Sequence, residues 1–120
     1  MLVAPLARRV LLVDDEEDVV EASAMGLRRH GFEVDTQSNP LKAISEFRPR
    51  VYGTVILDVR MIQMDGIELY RRMVAVDAQA KYFFLSAYHP DEYGNPPKPS
   101  EVGYLTKPIG LSDLVSAISG

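Results

Sequence analysis

Five polar residues that lie far apart in the sequence share one kind of position, directly after a short apolar segment: Asp14, Asp15, Asp58, Ser86 and Lys107. Clustered carboxylates repel one another unless a cation joins them, and Mg²⁺ prefers carboxylate and carbonyl oxygens as ligands. A lysine and a hydroxyl beside such an ion would complete a clamp for a phosphoryl group. One of the carboxylates could itself be the nucleophile. These residue types therefore point to magnesium-dependent phosphoryl chemistry, provided that the fold brings them together.

Each of these residues also has an ordinary structural explanation. The acidic run 14–18 could be a solvated helix start, where acids suit the helix dipole. Asp58 could begin a turn, Ser86 could cap a turn, and Lys107 could be a solvated surface lysine. Taken alone, Asp58 fits either explanation equally well, whereas the acidic run, Ser86 and Lys107 each favour the structural one. The common position after an apolar segment favours a shared site.

The apolar segments have the pattern of buried strands. Four of them have no polar face, which is typical of strands covered on both sides in a parallel sheet. Residues 32–35 alternate between apolar and polar side chains, which predicts a strand near a sheet edge. The four continuous segments span residues 10–13, 55–57, 82–85 and, more weakly, 102–105.

Segments with helical spacing alternate with these strands. They lie at residues 17–30, 39–47, 67–74 and 111–118. This alternation predicts an α/β fold with a doubly wound, five-stranded parallel sheet in the flavodoxin-like order 2-1-3-4-5 and helices on both faces. The carboxyl ends of parallel strands share one edge, where ligands bind, so the five polar residues should converge there. Residues 1–120 would form a single domain, which could be truncated from a longer regulator.

One segment, residues 87–101, breaks this rhythm. The alternation predicts a helix there, but the segment contains Pro90, Pro96, Pro97, Pro99 and Gly94. Each interior proline removes a helix hydrogen bond and costs roughly 3 kcal/mol. We therefore expect the fourth helix to be short or absent, with at most one turn beginning at Pro90.

Composition excludes several function classes. The 120 residues include no cysteine, which removes disulfide scaffolds, thiolate zinc sites and thiol catalysis. A pI near 5.1 argues against direct nucleic-acid binding. The longest aliphatic run is far too short to cross a membrane, and the apolar start lacks the charge order of a signal peptide. We expect a cytoplasmic protein with no membrane association.

In order and spacing, the sequence resembles the receiver domain of two-component response regulators over residues 8–119. The matching segments are Leu12-Val13-Asp14-Asp15-Glu16, Leu57-Asp58-Val59-Arg60-Met61, Met64-Asp65-Gly66, Ser86-Ala87 and Tyr104-Leu105-Thr106-Lys107-Pro108. The resemblance implies that Asp58 is the phosphoacceptor for a phosphohistidine on a sensor histidine kinase or histidine phosphotransfer protein. It also implies a Mg²⁺ ion bound by Asp15, Asp58 and the backbone carbonyl of Arg60, with Asp14 acting through water.

The resemblance implies further roles around the phosphoryl group. Lys107 would contact this group, and the peptide bond to Pro108 would be cis, which is rare for an X-Pro bond. Ser86 would swing toward a phosphoryl oxygen, with the backbone N–H of Ala87 as a second donor. Tyr104 would be the aromatic switch that turns inward when Ser86 moves. Without the resemblance, a half-buried edge-strand tyrosine would be the simpler interpretation of Tyr104.

The sequence departs from the family at three places: Ile62 replaces a common proline, Ile109 replaces a common aromatic residue, and residues 90–99 replace the fourth helix. That helix forms part of the usual output and dimerisation surface, so the output mode here should be unusual. We also hypothesise that Arg60 and Tyr88 screen the phosphoryl group from water and lengthen its lifetime.

Other function classes fit less well. A phosphorylation-independent interaction module would not need all five polar residues. A phosphatase with an aspartate nucleophile usually has an acid two residues later, where Arg60 lies. A flavin carrier needs a Ser/Thr-rich phosphate loop after the first strand. His30 and His89 form no metal set and should lie at the surface. A homodimer or an effector domain is a further possible partner.

Overall fold

The structure is a computed structural model and describes residues 5–87 and 94–120. Strands and helices alternate along the described chain, after a short 3₁₀ turn at Leu6–Arg8 that the sequence analysis did not anticipate. The strands are β1 (Arg9–Val13), β2 (Glu33–Gln37), β3 (Thr54–Leu57), β4 (Lys81–Ser86) and β5 (Gly103–Thr106). The helices are α1 (Glu17–Arg29), α2 (Pro40–Glu46), α3 (Gly66–Val76) and α4 (Leu111–Ser119).

The five strands form one parallel sheet in the order β2-β1-β3-β4-β5. The predicted strand order is therefore confirmed, and β2 is an edge strand as its alternating pattern indicated. The register pairs Val13 with Leu57 and Ser86 with Thr106, the last residues of their strands. This alignment brings the residues that follow each strand to one edge of the sheet.

Two apolar cores cover the two faces of the sheet. One core packs the aromatic and aliphatic residues of β3 and β4, such as Leu57 and Phe84, against α2 and α3. The other core packs β1 residues such as Val10 and Leu12 against Leu27 of α1 and Leu114 of α4. Because both faces are covered, the central strands are apolar except at their end residues, which explains the continuous apolar segments of the sequence.

Side-chain caps fix where two of the helices begin. The side chain of Asn39 accepts hydrogen bonds from the backbone amides of Leu41 and Lys42 at the start of α2. The carboxylate of Asp65 accepts one from the amide of Glu68 at the start of α3. Such caps satisfy amides that have no partner within the helix.

The connection between β4 and β5 contains no helix in its described part, residues 94–102. The prediction of a single turn at Pro90 falls on residues outside the described chain. Within the two described stretches, no helix is both long and apolar enough to cross a membrane.

Candidate functional site

The carboxyl edge of the sheet gathers the acidic residues. Asp14 and Asp58 directly follow β1 and β3, and the backbone amide of Asp58 donates to the carbonyl oxygen of Val13 at 2.9 Å. Their side chains are buried, and Asp15 beside them is half-buried. Carboxylate oxygens of all three residues lie within 4.8 Å of one another. The fold therefore produces the acid cluster that the sequence pattern predicts.

Lys107 enters this cluster from the end of β5. Its backbone amide donates to the carbonyl of Ser86 at 2.9 Å, which ties the residue to the end of β4. Its ammonium nitrogen Nζ lies 2.7 Å from Asp14 Oδ2 and 3.7 Å from Asp58 Oδ1. The peptide bond between Lys107 and Pro108 is cis. One cation thus faces two buried acids.

Burial is the largest cause of an unusual pKa at Asp58. Removal from water and the negative charge of Asp14 together raise the pKa of Asp58 to about 7, against the opposing effect of Lys107. The raised pKa means that one lysine does not compensate the carboxylates around it. A further positive charge at this position would favour the ionised form of Asp58.

The pKa of Lys107 responds to the same charges with the opposite sign. Burial lowers it, but the hydrogen bond to Asp14 and the charges of Asp58 and Asp14 outweigh burial, so the pKa is raised. Lys107 therefore stays protonated across the physiological range and remains available to an anionic group.

The donor set fits a divalent cation such as Mg²⁺. Its members are carboxylate oxygens, which suit hard cations, and the excess negative charge at Asp58 is what a cation would neutralise. Backbone amides orient two of the acids: the amide of Glu16 donates to Asp14 Oδ1 at 3.0 Å, and that of Ile62 donates to Asp15 Oδ2 at 3.2 Å. Asp14, Asp15 and Asp58 are the side chains that would hold the ion.

The other predicted site residues surround this cluster. Ser86 is buried at the end of β4, Ala87 follows it at the surface, and the side chain of Arg60 is exposed two residues after Asp58. The half-buried ring of Tyr104 lies with its centroid 5.6 Å from that of Phe84. Ser86 thus ends β4, Arg60 and Ala87 lie in the loops that follow β3 and β4, and Tyr104 lies near the start of β5, while the roles of all four remain predictions. Tyr88 and His89 lie outside the described residues, and His30 is exposed as expected.

Gly66 is a positioning residue to which the sequence analysis gave no role. Its amide donates to the carbonyl of Val59 at 2.7 Å, and a Cβ atom there would lie 2.1 Å from the carbonyl oxygen of Asp58. Only glycine therefore allows α3 to begin this close to the backbone of Asp58. The position of this glycine, eight residues after the acid, is visible in the sequence, but its close contact is not.

Comparison with protein families gives a match to the model of the response regulator receiver domain over residues 10–119. The response regulator receiver protein CpdR of Brucella abortus is 30% identical over 116 residues, covering 92% of this chain and 93% of that protein. The transcriptional regulatory protein PrrA of Mycobacterium tuberculosis is 33% identical over 114 residues, but the aligned region is 48% of its length. The chain thus spans nearly all of one relative and about half of the other.

A further relative is the sensor kinase CckA of Brucella abortus, 31% identical over 113 residues that make up 91% of this chain and 12% of the kinase. Among solved structures, a CheY-like receiver domain from Methanospirillum hungatei has a TM-score of 0.81 at 22% identity, covering 92% of this chain and 90% of that one. This similarity supports the fold.

The response regulator TrrA of Thermotoga maritima, solved in complex with Mg²⁺ and BeF, has a TM-score of 0.78 at 27% identity, with 92% of this chain and 96% of that one covered. The family match extends over almost the whole chain, and the strand order, the acid cluster and the lysine agree with it. This chain belongs to the receiver domain family of two-component response regulators.

Proposed function

We propose that the domain is a phosphorylation-controlled switch in which Asp58 accepts a phosphoryl group from a phosphohistidine on a sensor histidine kinase or a histidine phosphotransfer protein. The observation that carries this proposal is the position of the Lys107 ammonium, 3.7 Å from Asp58 Oδ1 within a cluster of three acids. A nucleophilic carboxylate needs such a cation to compensate the charge of an incoming phosphoryl group.

In the proposed reaction, a carboxylate oxygen of Asp58 attacks the phosphorus atom. A new O–P bond forms, the P–N bond to the donor histidine breaks, and the imidazole nitrogen leaves with the electron pair and takes up a proton. Lys107 neutralises charge on the transferred group, and the burial of Asp58 keeps competing water away from the nucleophile. Hydrolysis of the acyl phosphate would later return Asp58 to its carboxylate form.

A bound Mg²⁺ would supply further positive charge for the phosphoryl oxygens. Asp15, Asp58 and the backbone carbonyl of Arg60 would hold it directly, and Asp14 would do so through water. Asp14 is already engaged by Lys107 at 2.7 Å, so its second role is to orient the ammonium. The carboxylate of Asp15 is itself oriented by a hydrogen bond from the backbone amide of Ile62.

The phosphoryl group would then act on the neighbouring strand ends. We expect the hydroxyl of Ser86 and the backbone N–H of Ala87 to donate to its oxygens, and Tyr104 to turn inward as Ser86 moves. The register supports this coupling, because Phe84 pairs with Tyr104 and Ser86 with Thr106 on adjacent strands. A local charge change would thereby bias a two-state element.

The proposed partners follow from the reaction. A sensor histidine kinase or phosphotransfer protein would donate the phosphoryl group, and an effector domain or a second copy of the domain would receive the signal. Within the chain, Asp58 supports only its own phosphoryl transfer and dephosphorylation, so we do not propose an enzyme acting on an independent substrate.

The experiment that tests the proposal is incubation of the protein with Mg²⁺ and acetyl phosphate, followed by intact mass spectrometry. We expect the wild type to gain the mass of one phosphoryl group and Asp58→Asn to gain none, because an amide oxygen is a poor nucleophile. Asp77→Asn is the matched control, since Asp77 is a similarly buried acid outside the site. It should be modified like the wild type.

Absence of the adduct in the wild type would contradict the proposal and favour a phosphorylation-independent interaction module. An adduct that persists in Asp58→Asn would place the phosphoacceptor elsewhere. Loss of the adduct in Asp77→Asn, with the fold intact by circular dichroism, would show that the assay does not isolate this site.

A further inference from the structure

Residues 95–98, here called the strap, lie between β4 and β5, contain neither helix nor strand, and are joined to β5 by a turn. Pro96 and Pro97 have no backbone N–H, so at these positions the strap can join hydrogen bonds only through its carbonyl oxygens. Both prolines are half-buried, whereas Asn95 and Lys98 are exposed. The strap can therefore be held in place by packing and by donors that other elements supply.

Side chains on two different elements supply such donors. Arg71 of α3 donates from Nη2 to the carbonyl of Asn95 at 2.7 Å. The hydroxyl of Tyr104 on β5 donates a hydrogen bond to the carbonyl of Pro97. The strap is thus hydrogen-bonded to side chains of both α3 and β5, and the donor on β5 is the proposed switch residue.

A solvent-open groove lies between the strap and α3. Its volume is about 370 Å³, and Tyr70, Val74, Pro96 and Pro97 contribute to its walls. A segment that borders such a groove loses few contacts when it moves away. The hydrogen bonds from Arg71 and Tyr104 therefore carry a larger share of its attachment than they would in a packed core.

The far end of the strap is fixed by a turn. The backbone amides of Glu101 and Val102 both donate to the carbonyl of Lys98, at 2.8 and 3.2 Å. Val102 is buried and directly precedes β5. These two amides are the reporters of strap attachment in the experiment below, because the carbonyl that they share belongs to Lys98, the last residue of the strap.

We propose that the hydroxyl of Tyr104 is a latch that holds the strap against the domain and that inward rotation of Tyr104 releases the strap. This inference rests on the proposed function, since phosphorylation of Asp58 is what would draw Tyr104 inward. Rotation carries the hydroxyl away from the Pro97 carbonyl, and the strap then loses one of its tethers. Release of the strap would take the place of the movement of a fourth helix.

The test is amide hydrogen exchange measured by NMR on the full chain, with Tyr104→Phe as the variant that removes only the hydroxyl. Without a phosphodonor, the amides of Glu101 and Val102 should exchange about five-fold faster in Tyr104→Phe than in the wild type, the effect of one lost hydrogen bond. If the exchange rates of these two amides are the same in Tyr104→Phe and the wild type, the Tyr104 hydroxyl does not hold the strap. The amide of Gln79, bonded to Asp77 Oδ1 at 2.9 Å, reports on the fold and should not change.

The second arm adds Mg²⁺ and beryllofluoride as a phosphoryl mimic. We expect the Glu101 and Val102 amides to exchange faster in the wild type but to show no further change in Tyr104→Phe, because the latch is already absent there. Arg71→Met is the matched control: it removes the other tether, so exchange should be faster at the start and should still respond to beryllofluoride.

The outcomes separate this inference from the proposed function. If acetyl phosphate modifies Asp58 but beryllofluoride leaves the strap amides of the wild type unchanged, the latch is wrong and the phosphorylation site stands. If no adduct forms and beryllofluoride has no effect, the proposed function and its coupling to the strap both fail.

Discussion

Two buried aspartates, one at the carboxyl ends of the strands and one at their amino ends, have opposite electrostatic environments. Asp58, at the carboxyl edge, is 7% exposed, and Asp77, at the end of α3, is 6% exposed. Burial raises the pKa of Asp58 to about 7, with the charge of Asp14 as the next cause. The hydrogen bond from the backbone amide of Arg50 is the main cause that lowers the pKa of Asp77, and it outweighs the effect of burial.

The difference lies in what surrounds each carboxylate. Asp77 accepts hydrogen bonds from the backbone amides of Arg50 and Gln79, at 3.0 and 2.9 Å. Arg50, the donor of the first bond, has a φ of 63°, a left-handed conformation that costs a residue other than glycine about 1 kcal/mol. Asp58 instead faces two other acids and one lysine.

Two equally buried carboxylates, those of Asp58 and Asp77, can therefore have different roles. A carboxylate that is satisfied by backbone amides fixes two segments of the chain together and contributes to stability. A carboxylate that is left among other negative charges opposes folding and is suited to accept a cation or an electrophile. The comparison can be tested by giving the two residues the same substitution.

The largest effect is expected for Asp77→Asn, which should lower the free energy of unfolding by about 3 kcal/mol at pH 7. The amide group can accept one of the two backbone hydrogen bonds, but its NH₂ must face the other N–H. Urea denaturation followed by circular dichroism measures the change. A variant as stable as the wild type would show that the two amides find other partners.

The same substitution at the other acid should have the opposite sign. In the absence of divalent cations at pH 8, Asp58→Asn should raise the free energy of unfolding by about 2 kcal/mol. The pKa of Asp58 is raised from its ordinary value of 3.8 to about 7 in the folded state, so its ionisation lowers stability as the pH rises through this range, and the full cost is present at pH 8. A neutral amide avoids this cost and relieves the repulsion from Asp14. Destabilisation in the same urea assay would contradict this comparison.

Addition of Mg²⁺ should sharpen the contrast at the acid cluster. A cation that binds only the folded state raises the free energy of unfolding by about 1.4 kcal/mol at ten times its dissociation constant. Thermal denaturation of the wild type with and without Mg²⁺ measures this increase, and EDTA should reverse it. Asp77→Asn should show the same increase and Asp15→Asn a smaller one; equal responses of these two variants would argue against binding at the cluster.

The smallest effect concerns acid pH. Because the pKa of Asp77 is lowered in the folded state, its contribution is complete above the ordinary value of 3.8 and is lost as the pH falls through the folded-state value. The stability difference between the wild type and Asp77→Asn should therefore shrink below about pH 4. Urea midpoints measured from pH 6 to pH 3 test this, and a constant difference would show that the ionised form of Asp77 is not the stabilising one.

The sequence was sufficient to predict the strand order and the acid cluster for a physical reason. The central strands are buried on both faces, so polar residues begin abruptly where each strand ends, as at Asp14 and Asp58. Parallel pairing then brings strand ends to one edge whatever the details of packing. The effect of proline can also be predicted from the sequence, because proline disrupts a helix locally. Residues 94–102, which contain three prolines, form no helix.

The features that the sequence did not predict depend on contacts between segments that are distant in the sequence. Nothing near Asp77 in the sequence indicates that the amide of Arg50, 27 residues earlier, will satisfy it. The close approach of Gly66 to the carbonyl of Asp58 and the hydrogen bond from Tyr104 to Pro97 likewise become visible only in three dimensions. The resemblance to a family implies the roles of Ser86 and Tyr104, but the strap has no counterpart in that pattern.

The loop beside the acid cluster offers a practical advantage. The backbone amide of Ile62 holds Asp15, yet its side chain is 94% exposed, so the identity of this side chain is nearly independent of the bond that its backbone makes. The chain contains no cysteine. Ile62→Cys would therefore introduce a single thiol at which a fluorophore or spin label could be attached, giving a probe next to the proposed metal position without rebuilding the surrounding structure.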